Sequence, residues 1–392
     1  MEKKHLEIKD KAKCTGCRAC EQLCPVKCIE MVEDEEGFIF PKIDEEKCIN
    51  CGLCKNRCPQ LKAKEEERKK YIYAVKPKKV EIAKKSTSAG MAYILMKKTI
   101  NENGVVFGCT YNEKLEPIQI KVEKEEELQK LRGSKYVFSN TLHTYSEAKK
   151  ALEENKKVLY IGTPCQIDGL YAFLGKKHEN LLTADIVCHG VPSQKIFKKY
   201  IEYLENKFKA KVINYEFRNK DKAIWGEFCA KVTMDNGKIK YLNADEDPYY
   251  SNFLKGTIYR ECCYKCKYAN GNRIGDITLA DFWGIEKEDS KFSSTNGVSL
   301  VIINSLQGKK AFESVEEQIE YKEFSIEQAS NKNSNLKHPT KRSDVRNEIY
   351  HGINEMNAKN YIKKKLKISN KMKKKIKKFI PKKLKKIIKK MI

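Results

Sequence analysis

Residues 14–25 read CTGCRACEQLCP and residues 48–59 read CINCGLCKNRCP. Each is C-x2-C-x2-C-x3-C-P, a spacing of thiols that suits iron–sulfur chemistry. Three thiolates two residues apart wrap one face of a cubane through a tight turn. The fourth, followed by proline, leaves that turn and reaches the other cluster. On that logic Cys14, Cys17, Cys20 and Cys58 hold one [4Fe-4S] cluster, and Cys48, Cys51, Cys54 and Cys24 hold a second. A pair of zinc ribbons is the competing use, but those need two Cys pairs, not two fours that end in Cys-Pro. Clusters would also supply cohesion that so short a segment cannot draw from its own core. Cys28 lies outside both runs and reads as a buried small residue. Chemistry of this kind moves single electrons and chooses no substrate, so substrate chemistry must lie downstream.

The remaining cysteines are more ambiguous. Cys165 follows the buried run VLYIG and a Gly-Thr-Pro turn. It has three possible uses: a packed or redox thiol, a nucleophile, or a metal ligand at a helix N-terminus, where dipole and free amides favour thiolate. Cys188 ends another buried run, and Cys263 and Cys266 form a C-x2-C pair with Cys262 beside it. Cys109 and Cys229 lie in strand-like runs and read as core thiols.

The elements that must carry these residues follow from periodicity. Strand-like runs occur at YIYAV, GVVFGCTY, PIQIKV, KVLYIG, LLTADIVC, KVINYEF, FCAKVTMD, KIKYL and VSLVIINS, and GFIFPKID reads as half of a small hairpin. Helical patterns occupy STSAGMAYILMKKTI, SEAKKALEEN, SQKIFKKYIEYLENKF and a stretch near GKKAFESVEEQ. The alternation predicts a mixed α/β (α+β) fold with extra antiparallel strands. We divide the chain into a two-cluster ferredoxin-like domain (1–62), a charged linker (63–72), an α/β domain in two parts (73–150 and 151–345) and a Lys-rich C-terminal tail (346–392). No G-x-G-x-x-G, P-loop or H-E-x-x-H is present, which excludes the common dinucleotide, NTPase and zincin readings.

Composition narrows the class further. The chain has 392 residues, 40% hydrophobic and 34% charged, enough for two or three globular units. Sixteen cysteines without a secretory h-region point to metal in a reducing cytoplasm, not to disulfides. The net charge of +26 is concentrated at one end. Residues 356–392 hold seventeen lysines and no acidic side chain, leaving +9 on the first 355 residues. Ile362, Leu366, Met372, Ile376, Ile380, Leu384, Ile388 and Met391 recur mostly at three or four residues, with a break at Pro381. Such a basic amphipathic helix suits the anionic inner face of a membrane. The alternatives are a disordered tail or partner helix, and nucleic acid, for which one Tyr, one Phe and no Arg are poor equipment.

Five separated segments, STSAG (86–90), RGSKYV (132–137), GTPCQ (162–166), CHGVPS (188–193) and CYKCKYANGNRIGDITLADFWG (263–284), closely resemble the beta-subunit family of coenzyme F420 hydrogenase and dehydrogenase. That family also contains ferredoxin-linked reductases. The resemblance implies an FAD-binding α/β unit with its own iron–sulfur cluster. Carried over by position, Ser86, Thr87, Ser88 and Gly90 meet the flavin, Ser134, Lys135 and Tyr136 form a second flavin-side segment, and Asp276, Asp281, Phe282 and Trp283 close the motif. By residue type alone, Ser-Thr-Ser is either a helix cap or a seat for pyrophosphate, and Gly162 and Thr163 end a buried strand where α/β sheets place ligands. With that company, Cys165, Cys188, Cys263 and Cys266 are assigned to a third [4Fe-4S] cluster, with Cys262 able to replace Cys263. His189 is either a proton donor at neutral pH or a structural hydrogen-bonding group. Arg218, Lys220 and Trp225 either line a pocket for an anionic or aromatic substrate or form a solvated surface.

The resulting expectation is an iron–sulfur flavoprotein oxidoreductase. Electrons would pass from a ferredoxin-type donor through the clusters to FAD and on to a small-molecule or lipid-linked acceptor. The alternatives are an F420-linked beta subunit with a hydrogenase or dehydrogenase partner, and a non-enzymatic electron carrier. A homo-oligomer is left open.

Overall fold

A computed structural model describes residues 4–8, 10–62 and 69–367. The two thiol runs sit on either side of an antiparallel hairpin, β1 (Ile29–Glu33) with β2 (Ile39–Ile43), in register Ile29 to Ile43. Short helices Ala19–Leu23 and Leu53–Asn56 carry the third cysteine of each run, Cys20 and Cys54.

The main body is built on eight strands. These are β3 (Tyr71–Pro77), β4 (Val105–Tyr111), β5 (Pro117–Val122), β6 (Val158–Gly162), β7 (Leu181–Ile186), β11 (Ile277–Asp281), β12 (Ser299–Ile303) and β13 (Ile319–Glu323), in the order β13-β3-β12-β11-β7-β6-β4-β5. The four central strands β4, β6, β7 and β11 run parallel, and antiparallel strands close both edges. Buried on both faces, the inner strands are continuous apolar runs such as Val158–Tyr160, which is why they were legible in sequence. β8 (Val212–Glu216), β9 (Cys229–Met234) and β10 (Ile239–Asn243) form a separate antiparallel sheet. It packs with the helix Gln194–Phe208 in a core rich in tyrosine and phenylalanine.

Two expectations change. The helix predicted from Ser86 begins at Met91, with Gly90 as its N-cap at φ +98°. A Cβ at Gly90 would stand 2.7 Å from both Ile82 Cγ2 and Ser86 Oγ, so glycine is required there. Ser86–Ser88 form a loop ahead of the helix and do not cap it. The start of the basic stripe is also reassigned. The helix Ala358–Lys365 lies against Gln194–Phe208, and Tyr361, Ile362 and Leu366 are buried in the aromatic core. Arg346, Ile349 and Tyr350, counted with the tail in sequence, are core residues too. The stripe from Met372 to Met391 lies outside the described residues. Among the described residues no helix is long and apolar enough to cross a membrane.

Candidate functional site

The carboxyl ends of the parallel strands open into one cleft of about 2410 Å³, counting its solvent-filled mouth. This is where open α/β sheets place ligands. β6 ends at Gly162, and Thr163 caps the next helix, Pro164–Leu174, through a reciprocal capping box with Gln166. Cys165 therefore stands in the first turn, its Sγ 3.1 Å from Thr163 Oγ1. Cys188 follows β7, and Cys262, Cys263 and Cys266 come from the 3-10 turn Glu261–Lys265 and its end. All five thiols line the cleft, and so does Cys17 of the first run.

Burial pushes the Cys165 thiol well above its ordinary range, and Cys188, Cys266 and Cys262 add to the shift. Cys188 is pushed to about 12 by burial, with Cys266 and Cys262 again contributing. An activated nucleophile needs the opposite environment. Thiols held protonated in one shared cleft suit ligation, because a metal bond removes the proton outright.

The thiols of the two runs also gather. The Cys17 thiol is raised to about 12 by burial, with Cys14 and Cys58 as charged neighbours. Cys20 is raised by burial with Cys17, Cys14 and Cys58 beside it. Cys24, Cys48, Cys51 and Cys54 line a second, smaller cavity together with Cys28. Cys28 is buried, as its type suggested, but its Sγ lies 3.4 Å from Cys24 Sγ, so it belongs to the wall of that site. Among the described residues no three His, Cys, Asp or Glu side chains converge as they would on a single ion. The thiols stand around shared spaces instead.

The two halves of the cysteine set meet closely. Gly169, one turn beyond Cys165, has no room for a side chain: a Cβ there would be 2.7 Å from Tyr145 Oη, 3.0 Å from Cys17 Cβ and 3.2 Å from Cys17 Sγ. Thr141 Oγ1 donates to Cys17 O at 3.2 Å and Gln60 Nε2 to Tyr268 Oη at 2.9 Å, fastening the ferredoxin-like segment over the cleft.

The other wall holds the segments expected to meet a flavin. Thr87 Oγ1 accepts from Ser134 N–H at 3.0 Å, joining the two loops. Ser86 Oγ donates to Ile82 O and accepts from an Arg132 Nη. Ser88 Oγ donates to Val298 O at 3.1 Å. Lys135 does not offer a free cation: its Nζ donates to the carbonyls of Cys109, Lys130 and Arg132. Tyr136 stacks on Phe253 at 4.3 Å between centroids. Gly162 and Thr163 complete the floor.

His189 also faces the cleft, where desolvation lowers its pKa. That shift favours the neutral imidazole, which keeps one N–H donor and one acceptor nitrogen. Arg218 is buried and forms a bidentate pair with Asp281, one arm at 2.9 Å. Trp225 Nε1 donates to the same carboxylate and its ring stacks on Trp283 at 4.8 Å. Lys220 Nζ binds the carbonyls of Ala83, Ser88 and Asn296. These side chains form neither a solvated surface nor a free basic pocket; they brace the cleft. Asp276 serves Thr183 and Ser305. Cys229 is a core thiol, whereas Cys109 lies in the cleft wall.

Sequence reasoning missed Arg132, Arg260 and Gln119 in this wall. Each leaves a buried polar atom without a partner among the described residues: Arg132 Nε, Arg260 Nη1 and Gln119 Oε1. Arg132 opens the RGSKYV segment and Arg260 stands two residues before the cysteines, so their positions were the available signal.

Residues 155–329 match the family model for the C terminus of the coenzyme F420 hydrogenase/dehydrogenase beta subunit. This segment belongs to that beta-subunit family. Two models of the 4Fe-4S dicluster domain match residues 13–61 and 40–110, so the beta-subunit segment follows a 4Fe-4S dicluster domain. The coenzyme F420-dependent sulfite reductase of Methanocaldococcus jannaschii is 28% identical over 329 residues, 79% of this chain and 47% of that protein. The chain thus spans about half the length of this curated relative. A chain of the F420-reducing [NiFe] hydrogenase complex from Methanosarcina barkeri is 17% identical, with 70% of the present protein and 92% of that one covered, at a TM-score of 0.48.

Proposed function

We propose that the chain is an iron–sulfur flavoprotein oxidoreductase carrying electrons between a ferredoxin-type or partner-subunit donor and a small-molecule acceptor. One observation carries this reading: Cys17 of the first thiol run and the set Cys165, Cys188, Cys262, Cys263 and Cys266 line the same cleft, whose opposite wall is the Ser86–Gly90 and Arg132–Tyr136 segments. When bound, clusters of this type move single electrons and a flavin exchanges them with two-electron organic chemistry. The chain's own part is positional. Cys165, Cys188, Cys266 and one of the Cys262–Cys263 pair would hold the third cluster, and backbone and hydroxyl donors of Ser86–Ser88, with Arg132 and Ser134, would hold FAD by its phosphates. Unpartnered Arg132 Nε fits that use. His189 faces the cleft, where burial favours its neutral form, and it would accept or relay a proton there.

A second reading names the acceptor as deazaflavin coenzyme F420, favoured by the beta-subunit match and by the F420 dependence of the archaeal sulfite reductase. It is tested by mixing anaerobically reduced protein with F420 and following the deazaflavin absorbance. Rapid bleaching supports F420; absence of turnover, with flavin and clusters present, returns the acceptor to another small or lipid-linked molecule. The basic stripe beyond Lys367 would hold the enzyme at an anionic membrane surface. Co-sedimentation with anionic but not neutral vesicles, lost on truncation after Lys367, is the expected result.

A further inference from the structure

Four arginines of the described chain have buried side chains: Arg218, Arg260, Arg273 and Arg346. Three face carboxylates, namely Asp281, Asp185, and the pair Glu36 and Glu261. Arg260 does not. It is 1% exposed, and among the described residues no carboxylate stands within ion-pair distance of it. Its Nε donates to Cys14 O and Nη2 to Ile39 O, each at 2.8 Å, while Nη1 has no partner among the described residues. The guanidinium lies over Phe40, 4.3 Å from the ring centroid.

A buried cation without an anion is strongly unfavourable, so something at this position must supply negative charge. The free Nη1 faces the loop of the first thiol run: a Cβ on Gly16 would lie 3.1 Å from it. A ligated thiol is a thiolate, and such thiolates would supply the missing charge.

We infer that Arg260 is the positioning residue that sets the reduction potential of the cluster held by Cys14, Cys17, Cys20 and Cys58. The inference rests on the ligand reading proposed above. An added electron deepens the negative charge of a cluster, so a fixed buried cation beside one ligand favours the reduced form and raises the potential. Arg260 also joins the two halves of the cysteine set, because its backbone N–H donates to Val191 O and its carbonyl accepts from Cys263 N–H.

The test uses the full chain purified without air, as wild type, Arg260→Lys and Arg260→Gln. Iron is counted first, and midpoint potentials are then measured by mediated titration with electron paramagnetic resonance. With iron unchanged, Arg260→Gln should make reduction of one cluster at least tenfold less favourable, about 59 mV lower. Arg260→Lys should stay close to wild type. Unchanged potentials in Arg260→Gln overturn the inference. So does an equal fall in Arg260→Lys, which assigns the effect to packing on Phe40, and so does loss of one cluster's iron in both variants, which makes the residue a clamp alone. Wild-type protein with too little iron for the two N-terminal clusters would instead remove the ligand reading, and the inference with it.

Discussion

Arg132 is where the cleft's electrostatics can be tested most simply. Its guanidinium lies 4.2 Å from the Tyr93 ring centroid, donates to Ile82 O and Ser86 Oγ at 2.8 Å, and leaves Nε free. A charge-assisted hydrogen bond to a phosphate contributes about 1.5–3 kcal/mol. Arg132→Ala should therefore weaken flavin binding about 10- to 100-fold, read by fluorescence titration of the deflavinated chain. Unchanged affinity would take the residue out of the flavin site. At this scale the sequence was informative about thiols and poor about cations. The regular spacing of Cys14–Cys58 announces its purpose locally. Arg260 acquires its meaning only from Cys14, 246 positions away, and only the fold shows that nearby carbonyls take the Lys135 ammonium.

At the level of elements, the helix Pro164–Leu174 does two jobs: its first turn presents Cys165 and its next turn accepts Cys17 against Gly169. Gly169→Ala must displace buried Tyr145 or half-buried Cys17. We expect a loss of about 1–3 kcal/mol, the range for overpacked cores, seen as a lower melting temperature, with weaker magnetic coupling between clusters. A stability equal to wild type would mean the ferredoxin-like segment does not press on this helix. The central strands and this helix were readable because burial on both faces leaves an unbroken apolar signature. β13 was not, since four of its five residues are exposed on a sheet edge. Nor was the true start of the helix at Met91, where the Ser-Thr-Ser hydroxyls are committed to loop contacts.

Across the whole molecule, the ferredoxin-like segment is tied down by buried charge as well as by thiols. Arg346, 1% exposed, bonds Glu36 through both Nη atoms, at 2.8 and 2.6 Å, and also reaches Glu261. Arg346→Met would leave two carboxylates short of their partner and should cost about 3 kcal/mol, measured by denaturant unfolding of the anaerobic protein. An effect below about 1 kcal/mol would show that the network contributes little to docking. The sequence placed this arginine in a tail, because lysine density beyond it masks the apolar residues Ile349, Ile362 and Leu366 that join the core.

The central claim is that three thiol sets and a flavin cleft form one relay, and its most direct test is the content of iron, acid-labile sulfide and flavin in protein purified without air. The account predicts about twelve irons and one flavin per chain, falling to about eight irons in Cys165→Ser. About eight irons and no flavin in the wild-type chain, unchanged in Cys165→Ser, would contradict it and leave a two-cluster electron carrier.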